Sequence, residues 1–258
     1  MNRTTISELK LAAKDQLLGN YRIAAGSFAL LFVLIYVIMS IVMSAFTYSI
    51  GQNMSAPGTM SLTQEIEASV LGMVIGAISV TFSVGYIHIM KKIANGEQAV
   101  LSDLFYTFRN HPDKVIIISL IMAGIQFVLL LPATLAAPRD LDLTKGLDGK
   151  RMLLWAVLYL AGLIISLVID LMFAMCFMIY LDDPDESIPD IIRTSVGMMK
   201  GNKFRYFYMI LSFIGYWMLG ILSLGIAFAW VVPYQTMTTV VFYQDLKKNT
   251  GNSDWYEV

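Results

Sequence analysis

Asp170 is the side chain best placed to do chemistry, because it interrupts an otherwise apolar run over 152–181. It lies about 11 residues, roughly 16 Å of helix, from the C-terminal end of that run. An ionised carboxylate at the centre of a membrane helix costs about 2.5–3.5 kcal/mol. A side chain there is expected to face the bundle interior and find a partner or take up a proton. Gln126, Gln235 and Ser79 fall at similar depth in other apolar runs, so the four make a candidate buried polar layer. Such a layer is chemistry for holding a proton or cation on a transport path. It serves packing equally well if a protonated Asp170 bonds to Gln126 or Gln235, a contact worth about 0.6 kcal/mol. With no second intramembrane charge in the sequence, packing is the expected role.

The remaining reactive groups are sparse. His88 and His111 are the two histidines, without the His-Glu-x-x-His spacing of a zinc hydrolase; His88, just before Lys91 and Lys92, reads as an interfacial side chain. Cys176 is the only cysteine, so neither an intrachain disulfide nor a cysteine zinc cluster can form, and it reads as core packing. Asp182, Asp183, Asp185, Glu186 and Asp190 make an oxygen-rich cluster lacking the glycine and glutamate spacing of a calcium-binding hand. A solvated loop is expected there, with Asp190 capping a helix. Lys200, Lys203 and Arg205 are candidate contacts to anionic lipid headgroups, each worth about 1 kcal/mol near the surface. No paired acid–base or metal groups share one depth, so an enzyme is not expected, nor is a cofactor or a metal.

The elements that must position these residues follow from composition. Of 258 residues, 57% are hydrophobic and 14% charged, and mean hydropathy is +0.66. A soluble domain carries about 25% charge, so a disordered chain is excluded and an ordinary soluble globule is not expected. The net charge of −1 offers no basic surplus for nucleic acid. About 20 apolar residues cross a bilayer core, and the runs 21–46, 68–90, 115–137 and 152–181 meet that length. The run 204–243 is about 40 residues, roughly 60 Å as one helix, twice the core thickness. It must fold back, and Leu222, Ser223, Leu224 and Gly225 offer the turn. Six spans result. The first is too long for a signal-peptide core and is read as retained.

Lysine and arginine placement sets orientation. With the N-terminus inside, only Arg139, Lys145, Lys150 and Arg151 of the 18 basic residues lie outside, and the first outer loop, 49–67, has none. Both termini are therefore expected in the cytoplasm.

A short amphipathic segment precedes each pair of spans. Thr5 and Glu8 form a capping box ahead of Ile6, Leu9, Ala13 and Leu17. Ser102 is placed to cap a second segment with Leu101, Leu104, Phe105 and Phe108. Ser187 and Asp190 start a third, with Pro189 in its first turn and Ile188, Ile192, Val196 and Met199 on one side. The exit Gly19-Asn20-Tyr21-Arg22 echoes Gly201-Asn202-Lys203-Phe204-Arg205, and Arg109-Asn110-His111-Pro112 is looser. Residues 1–258 then form one membrane domain of three parallel units, 1–95, 96–182 and 183–258, unless the echoes are chance. The fold class is an all-α integral membrane bundle: six transmembrane helices as three hairpins, each behind a short cytoplasmic interfacial helix. Gly72 and Gly76 are expected to mark a packing face, and Pro132 and Pro233 to bend their spans.

Asp182-Asp183-Pro184, the run from Ser195 through Gly197, Lys200, Gly201 and Asn202 to Lys203, and Leu211 to Trp217 carry a family resemblance. Gly225, Trp230, Pro233-Tyr234 and Phe242-Tyr243 continue it. The chain resembles the multi-pass proteins of Gram-positive bacteria grouped as domain of unknown function 975. Tyr216 stands where that pattern has tryptophan. The resemblance implies a bacterial plasma-membrane protein and brings no reaction, cofactor or active site.

Two functions follow as expectations. One is a non-catalytic membrane module that binds membrane lipid, or a partner such as another membrane protein or an export machine, through its interfacial helices. The other is a small proton- or cation-linked transporter or channel built on Asp170, Gln126, Gln235 and the kink at Pro233.

Overall fold

A computed structural model describes residues 4–53, 62–137 and 149–250, and every regular element among them is helical. The segment with Arg139, Asp140, Asp142, Lys145 and Asp148, Arg3, and part of the expected first outer loop lie outside the described residues. Helix α1 (Ile6–Leu17) starts as its sequence requires. Glu8 N donates to the Thr5 hydroxyl at 3.3 Å, and Thr5 N donates to Glu8 Oε2 at 2.7 Å. Two orphan donors of the first turn are thereby satisfied. Leu9, Ala13 and Leu17 bury one face.

Two long apolar helices follow, α2 (Tyr21–Asn53) and α3 (Leu62–Ala94). The next segment departs from expectation. Instead of an α-helix capped by Ser102, a 3-10 turn covers Leu101–Phe105 and leads into α4 (Tyr106–Arg109). Val100 N donates to Asp103 Oδ2 at 2.9 Å, and Asp103 is paired with Lys92, so the carboxylate takes the capping role. Helix α5 spans Pro112–Ala136, and α6 (Gly149–Phe173) continues after a break as α7 (Cys176–Tyr180). Helix α8 (Ile188–Met199) is capped by Ser187, whose hydroxyl accepts from Asp190 N at 3.4 Å. It buries Ile191, Ser195, Met198 and Met199, one position round from the expected stripe. Helices α9 (Lys203–Leu211) and α10 (Ile214–Leu222) form a second broken rod, and α11 (Phe228–Thr250) closes the chain.

Five of these helices are long and apolar enough to cross a membrane: Tyr21–Ser44, Ile66–Ala94, Pro112–Ala136, Gly149–Tyr180 and Lys203–Leu222. Their outer surfaces expose Phe32, Leu153, Ile164 and Leu222, side chains that a bilayer solvates and water does not. The chain is a multi-pass membrane protein. Helix α11 is the exception, because Gln235, Thr236, Thr238 and Thr239 dilute its apolar character. It is enclosed by protein, burying Met237, Val240, Phe242 and Tyr243. Two of its threonines bond back to carbonyls four residues earlier, Thr238 to Tyr234 at 2.8 Å and Thr239 to Gln235 at 3.1 Å. A helix wrapped by others need not be greasy on every side.

The turn between α10 and α11 falls where glycine predicts it, with Leu224 at φ 55° and Gly225 at φ 96°. Arg205–Asp245, Trp217–Gln235 and Gly220–Phe228 contacts rise along the pair in opposite directions, so α9–α10 and α11 run antiparallel. Asn110–Tyr180, Gln126–Asp170 and Leu129–Gly162 do the same for α5 and α6–α7. Thr4 donates to the Asp245 carboxylate, so both described chain ends meet at one end of the bundle, here the lower end.

The short lower helices lock neighbours together. Helix α1 packs on α11, the 101–109 segment on α3, and α8 on α6 and α7. A Cβ on Gly85 would lie 1.9 Å from the Leu104 carbonyl oxygen, so glycine is what lets the 3-10 turn press on α3. Gly72 and Gly76 do not mark such a contact: among the described residues nothing comes within 4 Å of a Cβ at either. Gly162 against Leu129 and Gly220 against Phe228 are the tight approaches inside the bundle. Pro132 and Pro233 lie within α5 and α11.

Candidate functional site

The four residues of the expected polar layer do not form one site. Gln126 Nε2 donates to Asp170 Oδ1 at 2.9 Å, joining α5 to α6, with Asp170 exposed. Gln235 instead accepts from Trp217 Nε1 at 2.7 Å, joining α11 to α10. The Ser79 hydroxyl is buried without a hydrogen-bond partner among the described residues. Gln126 and Asp170 meet each other, whereas Gln235 turns to Trp217.

The three basic residues also divide. Lys200 is exposed and Lys203 half-buried. Arg205 turns inward, its side chain only 13% exposed, paired with Asp245 at 2.7 Å and donating to the Thr4 carbonyl at 2.5 Å. Its guanidinium lies 5.0 Å above the Phe242 ring. That arginine ties the chain ends to α9. His88 stacks on Tyr106 with centroids 3.8 Å apart, and His111 reaches Asp185 at 3.3 Å. Cys176 is fully buried.

Within the acidic cluster, Asp182 is exposed, as expected of a loop residue, but it is also tied to two helices. Lys91 Nζ from α3 donates to its Oδ1 at 2.6 Å, and its Oδ2 accepts from Lys247 at 2.8 Å and from the Tyr243 hydroxyl at 2.5 Å, both on α11. Burial alone would raise its pKa, but the bonds from Lys247, Lys91 and Tyr243 hold it below the ordinary carboxylate value. Lys91 Nζ also donates to the Met178 carbonyl at 3.3 Å. Beside this knot lies a cavity of ≈ 190 Å³ whose lining includes Asn95 and Gln244.

A larger cavity, ≈ 350 Å³, lies above it between the membrane helices. Its apolar wall includes Leu31, Ile87, Phe177, Met178 and Val232. Ser83, Gln235, Thr236 and Thr239 add hydroxyl and carboxamide groups to the lining, and among the described residues no charged side chain lines it. Ala174, Tyr206 and Trp217 also line it.

Those breaks are held from below. At the α6–α7 break, the fully buried Ser195 of α8 donates to the Met172 carbonyl at 2.8 Å and accepts from Met175 N at 3.3 Å. At the α9–α10 break, Lys10 of α1 donates to the Ser212 carbonyl at 3.0 Å, its ammonium 4.2 Å over the Phe213 ring. Burial lowers the pKa of that lysine. Backbone groups freed inside a membrane need such partners. The sequence shows no proline or glycine at either break, so only the apposed Ser195 and Lys10 reveal them.

No curated protein and no solved structure matches the chain. A family model matches residues 1–250, the upstream spans as well as the segment around 181–246 that carries the resemblance. The chain belongs to the family described as protein of unknown function (DUF975).

Proposed function

We propose that the chain is a non-catalytic module of a bacterial plasma membrane that binds a lipid or other uncharged amphiphile in the cavity between its spans. The cavity carries this reading. Its ≈ 350 Å³ falls at the scale of small-molecule sites, which are mostly apolar with a few placed polar groups. The hydroxyl and carboxamide groups of the lining suit a hydroxyl or ester head, and its apolar side chains suit an acyl or alkyl chain. Among the described residues no charged side chain lines the cavity, which disfavours an ionic head.

In this reading α11 is the sixth crossing and the lower end is cytoplasmic, as the distribution of lysine and arginine supports. Three units, 1–95, 96–182 and 183–258, follow one plan. Asn20, Asn110 and Asn202 each donate to the carbonyl four residues earlier, at 3.3, 3.0 and 2.9 Å. Each interfacial segment rests on the second span of another unit. Lys114 donates to the Glu186 carbonyl at 3.0 Å and Arg205 to that of Thr4, in both cases the residue before a helix cap. These matches support an arrangement around an axis along the membrane normal.

The test is photo-crosslinking in native membranes with a photoactivatable long-chain alcohol and its phosphate ester. The alcohol should label cavity residues, and Ala174→Trp, which fills the cavity, should cut labelling about tenfold in protein that remains folded. Labelling spread evenly over the lipid-facing surface and insensitive to Ala174→Trp would reject the reading. Recovery of a stoichiometric membrane partner with an unlabelled cavity would assign the module to protein binding instead. Proton- or cation-linked transport has one observation in its favour, the Gln126–Asp170 bond near mid-span.

A further inference from the structure

The helices that converge on Asp182 are also those that wall the large cavity. Ile87, Met178 and Thr239 line that cavity. Four residues further along the same segments stand Lys91, Asp182 and Tyr243, which line the smaller polar cavity below. One helical turn, about 5.4 Å, therefore separates an uncharged membrane chamber from a charged lower pocket. Lys91 spans that interval, bonding Asp182 on one side and the Met178 carbonyl of the chamber wall on the other. Its side chain is 12% exposed, Asp182 is 28% exposed, and Lys247 is 62% exposed. The knot grades from buried to solvated, facing the lower pocket.

We propose that Asp182, with Lys91, Tyr243 and Lys247, is a latch that closes the membrane cavity on the cytoplasmic side. Asp182 draws α3, α7 and α11 together, and releasing it opens the cavity to the lower pocket. A knot serving only to glue helices would be tolerated anywhere along them; this one lies where the chamber ends and the polar pocket begins. Lys247 holds the outer oxygen through a bond open to water, the kind that exchanges readily. Lys91 and Tyr243 keep α3 and α11 against the carboxylate while it does. The closed latch leaves the cavity to be filled from the membrane interior or from the far side. The inference rests on the cavity site and orientation proposed above.

A thiol reporter tests it. In the full chain, Cys176→Ser removes the native cysteine, and Ala174→Cys places a thiol on the cavity wall. A membrane-impermeant cationic methanethiosulfonate is applied to inside-out and to right-side-out vesicles. With Asp182 intact, reaction from the cytoplasmic face should be slow. Asp182→Asn, which removes the charge from all three bonds, should accelerate it about tenfold or more, with no change from the other face. Lys247→Ala and Tyr243→Phe, which each remove one bond, should give smaller accelerations, and Asp182→Glu should stay slow. Fast reaction with the intact latch overturns the proposal. So does an unchanged rate in folded Asp182→Asn, or, if that variant fails to fold, in both Lys247→Ala and Tyr243→Phe. The alcohol probe reads the binding proposal separately: accelerations without alcohol labelling keep the latch and reject the lipid site.

Discussion

The ammonium of Lys10 donates to the carbonyl of Ser212 at 3.0 Å, so the first helix holds open a break in a membrane rod two hundred residues later in the chain. Ser195 does the same for the break after Phe173, by a hydroxyl that both donates and accepts. The interfacial helices are thus more than lead-ins to the spans. They shape the cavity, because Ala174 and Trp217 line it beside the two breaks.

Lys10→Met keeps the aliphatic stem and removes the charge, the bond to Ser212 and the contact with the Phe213 ring. The expected loss is about 1–3 kcal/mol, from an unsatisfied carbonyl and a lost cation–π contact. Thermal melting in mild detergent reads it as a drop of several degrees. Lys10→Arg should recover part of the loss.

Ser195→Ala strips both partners from the Met172 carbonyl and the Met175 amide. A cost of about 1–3 kcal/mol is expected, because water cannot replace either bond in a fully buried position. Ser195→Thr tests space at the same site, since it keeps the hydroxyl and adds a methyl group. Melting of both variants beside the parent separates lost bonding from crowding.

Gly85→Ala puts a Cβ 1.9 Å from the Leu104 carbonyl oxygen, a backbone atom that cannot swing aside. The 3-10 turn must lift from α3, with a loss of about 1–3 kcal/mol by analogy with overpacked cores. Gly72→Ala meets open space and should melt like the parent. Equal melting of the two variants would contradict the packing of the 101–109 segment.

Asp182 has a lowered pKa in the folded chain. Its contribution to stability is full above the unfolded value of about 3.9 and is lost as pH falls through the lower folded value. Wild type should therefore exceed Asp182→Asn in melting temperature at pH 7, and the gap should shrink below about pH 4. A gap constant down to pH 3 would show that the charge on Asp182 plays no part.

Asp170→Asn retains an oxygen that accepts from Gln126, so stability should change by no more than about 0.6 kcal/mol. Labelling of the cavity by the alcohol probe should also persist. Loss of a proton-linked flux in reconstituted vesicles, with stability intact, would instead make Asp170 a coupling group and move the function to transport.

Much of this architecture is legible in one dimension. The spans appear as uncharged runs because lipid excludes charge over a fixed thickness. The Thr5–Glu8 cap and the turn at Gly225 are visible because each depends on a few adjacent residues. The left-handed Gly19 and Gly201 at the helix exits belong with them. The partners within the candidate site were not legible. Counting residues puts Asp170, Gln126, Gln235 and Ser79 at one level, yet a helix repeats every 3.6 residues, and direction around it is set by its neighbours. Hence Asp170 meets Gln126 while Gln235 meets Trp217. Asp182 reads as one acid among several and is a hub only because α3 and α11 bring Lys91, Tyr243 and Lys247 to it.

By itself, the sequence determined that the chain is helical, lies in a membrane and turns at its glycines. Those properties follow from solvation and local backbone geometry. Tertiary structure alone decided where two rods break, which helices line a cavity and which acid ties three segments together. Each of those depends on side chains from distant segments meeting at hydrogen-bond distance, and such a meeting leaves no trace in residue order.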